Sequence, residues 1–225
     1  MGIAAMAKRH LAAALLIGLF SATSSQASSV SFYLDQSSGL LDGVNYLQVT
    51  IADGADGAID FTITTLQPLL DIAGSNFGIE KFAFNVAGDL DAGRDNVTAL
   101  PSGWLTGHNG LVSGFGTYDL IVDMQGSSPQ DPLTFSVTGI DLDTVLSYVD
   151  LSSGDSPQGP SFFSVYVGGF NFGDCGDNER SSKNCYTGAF FGGAKAEAVP
   201  APPAIWLLGN AVAGLIARRI RRKAT

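Results

Sequence analysis

The sequence predicts an all-β protein, an antiparallel β-sandwich or jelly roll, with an N-terminal signal peptide and a single short C-terminal transmembrane helix. Three observations predict the sheets. Apolar side chains recur at every second position in several separate stretches, the period of a half-buried strand. The spacers between those stretches are rich in Gly, Pro, Asn, Asp and Ser, which supply turns. Only one stretch of the exported segment shows helical spacing, and no internal repeat of fixed period is present. Many short strands with such punctuation pack as two layers.

Taken in order, the chain opens with Lys8 and Arg9 before an apolar run from Leu11 to Phe20, and then Ser25-Gln26-Ala27. A positive region, a short apolar core and small residues at a cleavage site make a secretory signal peptide, residues 1–27. The run is too short for a stable span. Cleavage is expected after Ala27.

Residues 28–191 are expected to form the sandwich. The alternating sets are Val30, Phe32 and Leu34; Leu47, Val49 and Ile51; Ile59, Phe61 and Ile63; Phe82, Phe84 and Val86; Tyr118, Leu120 and Val122; Leu133, Phe135 and Val137; and Phe163, Val165 and Val167. Asp53-Gly54, Asp56-Gly57, Gly74-Ser75-Asn76, the segment 88–95, Pro101-Ser102-Gly103, Ser127-Ser128-Pro129 and the segment 153–160 read as turns. Leu142, Val145, Leu146 and Val149 stand at i, i+3, i+4 and i+7 after Asp141, so a short helix capped by Asp141 is expected there. Residues 192–198, small and mildly charged, read as a tether.

Charge narrows the partners. The chain carries −9 overall, but all 21 Asp and Glu lie between residues 28 and 198. Only Lys81, Arg94, Arg180, Lys183 and Lys195 oppose them, which leaves that segment at −16. Such a field repels nucleic acid and anionic lipid, favours solubility and attracts divalent cations. A polysaccharide partner is compatible if it is neutral or bridged by calcium.

The last stretch has three parts: Val199, Pro200, Ala201 and Pro202; an apolar segment 203–217 interrupted by Gly209 and Asn210; and a basic cluster of Arg218, Arg219, Arg221, Arg222 and Lys223. A helix on 203–217 rises about 1.5 Å per residue, short of a ~30 Å hydrocarbon layer. Snorkelling arginines and local thinning close that gap. The basic cluster holds its end in the cytoplasm, so the preceding domain lies on the far side. A buried helix of a soluble domain would show a polar face, and this one has none.

That three-part pattern resembles the PEP-CTERM sorting signal of Gram-negative bacteria. The resemblance implies recognition by exosortase, a membrane-embedded protease or transpeptidase. Val199, Pro200 and Pro202 would be the recognition element, 203–217 a temporary anchor and 218–223 the stop. Such tails often carry Glu between the motif prolines, where this chain has Ala201. In the middle of the chain, Leu100-Pro101-Ser102-Gly103-Trp104, Gly114-Phe115-Gly116-Thr117-Tyr118-Asp119, Asp131-Pro132-Leu133-Thr134-Phe135 and Phe190-Phe191-Gly192-Gly193 are similar to stretches of exported PEP-CTERM proteins without assigned activity. The resemblance implies export across the inner membrane, transient anchoring, and a final place at the cell surface or outside it. It supplies an address and no chemistry.

Residues with chemical potential are few. Cys175 and Cys185 enclose a short polar loop in an exported segment, where a disulfide is the default. Closing so short a loop is worth about 3 kcal/mol on the chain-entropy model. A thiol or metal site would want a nearby His, and none is close in sequence. His108 lies in Gly107-His108-Asn109-Gly110, a surface-turn pattern, and no serine sits in a Gly-x-Ser-x-Gly elbow to make a triad with it.

Asp89, Asp91 and Asp95, with Asn96 beside them, alternate along a loop as calcium ligands do. They lack the Gly and terminal Glu of an EF-hand loop, and solvated turns explain both them and the poorer set Asp53, Asp56 and Asp60. Trp104 and Tyr118 are candidates for a sugar-stacking platform, against the plainer reading that Trp104 plugs the core edge. Carboxylates abound, with glutamate only at Glu80, Glu179 and Glu197, and nothing in their spacing singles out a glycosidase acid and base. The expectation is a non-enzymatic surface or matrix protein, structural or interacting, in an exopolysaccharide biofilm. A carbohydrate-binding module and a secreted glycan hydrolase are the alternatives.

Overall fold

The computed structural model describes residues 28–88, 90, 92–171, 187–193 and 195–196. These residues are all-β. The first sheet has the order β12-β1-β3-β4-β9-β6, built from β1 (Ser29–Leu34), β3 (Leu47–Asp53), β4 (Ile59–Thr65), β6 (Val97–Thr98), β9 (Leu133–Val137) and β12 (Lys195–Ala196). The second has the order β2-β11-β10-β5-β8-β7, from β2 (Gln36–Ser37), β5 (Ala73–Phe84), β7 (Trp104–Val112), β8 (Gly116–Met124), β10 (Phe163–Phe170) and β11 (Gly188–Gly193). Every strand pair is antiparallel.

The two sheets pack face to face because alternation puts one face of each strand inside. Leu47, Val49 and Ile51 of β3 are buried while Gln48, Thr50 and Ala52 between them face outward. Phe61 and Phe135 of the first sheet stack with centroids 4.8 Å apart and planes at 8°, and Phe61 reaches across to Phe84 at 5.1 Å. Phe32 and Phe163 meet edge to face at 5.3 Å. Full burial of each such ring stabilises by roughly 1.5–3 kcal/mol, so this aromatic seam is the main bond between the layers.

One side of the sandwich is closed by backbone. Phe32 and Tyr33 pair with Ala196 and Lys195 in the first sheet, and Gln36 and Ser37 pair with Gly192 and Phe191 in the second. The two chain segments thus turn the corner together as one antiparallel ribbon. Gly193 sits at that corner, where an added Cβ would come within 2.5 Å of the Tyr33 carbonyl oxygen.

All seven alternating sets fall in strands save for Val86, two residues past the end of β5, and four local expectations are corrected. Gly74-Ser75-Asn76 is no turn but part of β5; Asn76 takes φ 57° and Gly78 φ 148°, so the strand is irregular there without ending. Gly107 to Gly110 likewise lie in the edge strand β7, which tolerates Asn109 at φ 49°. The expected helix is one 3₁₀ turn, Val145–Tyr148, preceded by Thr144 instead of Asp141. Leu142 has φ 65° and is 95% exposed, so Val145 and Tyr148 are buried, Val149 packs partly against the core, and Leu142 and Leu146 stay outside. Finally, the segment read as a tether enters the sheets: Gly192 and Gly193 end β11, and Lys195–Ala196 form β12.

Among the described residues, no helix is long and apolar enough to cross a membrane. The signal peptide, the sorting motif, the segment 203–217 and the basic cluster lie outside the described residues.

Candidate functional site

The outer face of the second sheet divides into a covered half and an open half. Over the covered half, Ala83, Val112, Phe115, Tyr118 and Ile121 form a second small core. The chain 150–161 folds across it, held by the paired backbone of Thr117 and Ser153. Tyr118 Oη lies 2.5 Å from Ser161 Oγ, and Ser161 N donates to Ser152 Oγ at 3.2 Å. Burial pushes the Tyr118 phenol up from its ordinary value, against the hydrogen bonds of the three nearby serines.

The open half carries one row of side chains across five strands. Phe190, partly buried against the covering core, pairs with Tyr166, Tyr166 with Lys81, Lys81 with Asp123, and Asp123 with Leu105. Alternation places these on the same face, away from the core. Lys81 Nζ and Asp123 Oδ2 form an ion pair at 3.2 Å, both side chains about a third exposed. In that setting an ion pair contributes about 0–1 kcal/mol and mainly fixes side-chain position.

Glu80 joins this row through a β-bulge. The register passes from Tyr166 opposite Lys81 to Val167 opposite Ile79, so Glu80 is the extra residue on β5. Bulges re-aim a side chain. The Glu80 carboxylate lies over Gly168, at the position a Cβ there would take. Partial burial and then the charge of Asp123 raise its pKa.

Tyr166 lies along the sheet instead of standing off it. A Cβ on Gly188 would be 2.6 Å from Tyr166 Oη and 2.9 Å from Cζ, so the phenol covers that glycine. Its ring centroid is 4.8 Å from that of Phe190, with planes at 51°. Burial, then the neighbouring Glu80 charge, raise the phenol pKa. Among the described residues, neither Tyr166 Oη nor the Glu80 carboxylate has a hydrogen-bond partner. The arrangement therefore offers the Tyr166 ring, with Phe190 tilted against it, bordered by hydrogen-bonding groups that the protein itself leaves open.

The residues singled out from the sequence are placed differently. Trp104 and Tyr118, proposed as a stacking platform, are 4% and 1% exposed and present no face to solvent. Trp104 sits at the start of β7 inside the main core, as the plainer reading had it. His108 is exposed on β7, and its Nε2 accepts a hydrogen bond from Arg94 N at 3.2 Å. Asp89 and Asp91 lie outside the described residues; Asp95 is exposed in the 3₁₀ turn Arg94–Asn96. Cys175 and Cys185 also lie outside them, while the flanking strands remain bonded as far as Phe170 N to Thr187 O at 3.2 Å.

Asp53 and Asp56 share an open cleft of ≈ 460 Å³ with Asp141 and Asp143. Two of these carboxylates are already engaged, Asp53 by Ser28 N at 2.7 Å and Asp143 by Tyr148 Oη at 2.5 Å. Among the described residues, no three His, Cys, Asp or Glu side chains converge as a metal site. The sequence missed the Tyr166, Phe190 and Glu80 group because its members are scattered along the chain. The bulge that turns Glu80 outward leaves no mark in the alternation of Phe82 and Phe84. Compared with family models, with curated proteins and with solved structures, the chain matches none.

Proposed function

We propose that the chain is an exported, non-enzymatic sandwich of the cell surface or extracellular matrix, sorted and processed by exosortase at its C-terminal tail. The observation that carries this reading is the position of the folded unit between the two processing elements. β1 starts at Ser29, two residues after the expected signal cleavage at Ala27, and β12 ends at Ala196, just before Val199. Removal of both ends would leave every described strand intact. β1 and β12 are also neighbours in the first sheet, so the body is held close to the point where its tail departs.

The tail chemistry suits such processing. Pro200, Pro202 and Pro203 lack an N–H and disfavour helix in the residue before each of them. Residues 199–202 should therefore stay extended, the form a protease cleft accepts, and Pro203 is suited to the first helical position. The test is the mass of the mature C-terminus in a host with exosortase and in one without. Loss of Trp206 and the Arg cluster only where the enzyme is present is expected. Retention of both segments in both hosts would make the tail a plain anchor and end the proposal.

A further inference from the structure

We propose that the open half of the second sheet, at Tyr166, Phe190, Glu80 and Asp123, binds a neutral pyranose polysaccharide. The Tyr166 ring provides the stacking face, and the two carboxylates accept hydrogen bonds from sugar hydroxyls. This deepens the matrix reading by naming the chemistry of the partner, and it fails separately from it.

Three observations point to a sugar. A pyranose ring has an apolar face of axial C–H groups and a rim of hydroxyls, so it needs a flat aromatic beside hydrogen-bond acceptors. Tyr166 meets the first need because it lies over Gly188 with one face against the sheet. Glu80 and Tyr166 Oη meet the second: they are partly desolvated and unpaired among the described residues, and an incoming hydroxyl recovers those hydrogen bonds. Lys81 holds Asp123 in place from the next strand, which keeps that acceptor ordered before binding.

Charge selects within the class. Two carboxylates at the site, on a segment of net charge −16 between residues 28 and 198, repel uronate and sulfate polymers. An apolar peptide would bury the Glu80 carboxylate without a partner and strip water from the Lys81–Asp123 pair, which is costly. The open sheet face also suits a long polymer, which can lie across several strands along the row from Phe190 to Leu105.

The test uses the full chain as exported, run in native affinity gels containing dextran, mixed-linkage β-glucan or galactomannan, with alginate as the anionic control. Retardation by at least one neutral polymer and none by alginate is expected. Tyr166→Ala should weaken binding roughly tenfold, as loss of a central aromatic anchor does. Tyr166→Phe should retain most of it, and Glu80→Gln should weaken it by a few fold. Thermal melts of each variant check the fold, and Glu80→Gln, which changes no volume, keeps the test decisive if Tyr166→Ala does not fold. No retardation by any neutral polymer, equal retardation by alginate, or binding unchanged in both Tyr166→Ala and Glu80→Gln would overturn the proposal. Release of reducing sugar would overturn it in favour of a hydrolase. Self-association lost on Tyr166→Ala, without retardation, would assign the face to a second copy. None of these outcomes alters the C-terminal mass that tests the exosortase reading.

Discussion

Tyr118 and Ser161 share a hydrogen bond of 2.5 Å between two side chains that are 1% and 0% exposed. The bond joins β8 to the segment 150–161, which otherwise runs over the outside of the second sheet. It is thus the polar pin under a small apolar lid formed with Phe115 and Val112.

Breaking one side of that pin should cost more than removing both. Tyr118→Phe leaves the buried Ser161 hydroxyl short of a partner, a loss of about 1–3 kcal/mol, whereas Tyr118→Phe with Ser161→Ala should recover part of it. Urea unfolding of the wild type, the two single variants and the double variant gives the coupling. A coupling of zero would mean that the pair is not a unit.

Glu80 has a carboxyl pKa raised above its ordinary 4.5, by burial first and by Asp123 second. The folded state therefore binds a proton more tightly than the unfolded state does. That contribution to stability is full below the unfolded pKa and is lost as the pH rises through the folded one. Glu80→Gln, which cannot ionise, should be more stable than the wild type at pH 7 and approach it near pH 4. Equal differences in denaturation midpoint at both values would show that Glu80 is not the titrating group.

Cys175 and Cys185 are proposed as a disulfide, a reading that rests on the proposed export and on the short polar loop between them. Alkylation of the exported protein without reduction, followed by mass spectrometry, should find both unmodified and linked. Two alkylated thiols would rule the bridge out. Reduction should lower stability by up to about 3 kcal/mol.

Replacing Pro200 and Pro202 by Ala should leave the protein inserted but uncut, because the recognition segment is then free to continue the helix. Neutralising 218–223 should instead let the short apolar segment slip, giving release without correct cleavage. Fractionation with mass determination of the C-terminus distinguishes the two defects. Normal processing of both variants would remove the tail from the recognition step.

The sequence by itself determined the all-β class and the inward faces of seven strands, Tyr118 excepted, which packs in the second small core instead of the main one. Period-2 burial is written directly into sets such as Leu47, Val49 and Ile51, and Phe163, Val165 and Val167. It also carried the compositional asymmetry that motivates the export reading. Tertiary structure decided what local pattern could not. The stretch 107–110 reads as a turn yet runs as strand because β8 pairs with Gly107, His108 and Gly110, and 74–76 is carried within β5 as an irregularity between Ala73, opposite Phe170, and Gly78, opposite Gly168. Leu142 has helical spacing but a left-handed backbone, so the helix shrinks to a single 3₁₀ turn. Above all, the choice of exposed aromatics was tertiary. Trp104 is sealed by packing from residues remote in sequence, while Tyr166 and Phe190 reach the surface beside Glu80. A register shift between β5 and β10 put them together, and register is a property of paired strands that no single strand contains.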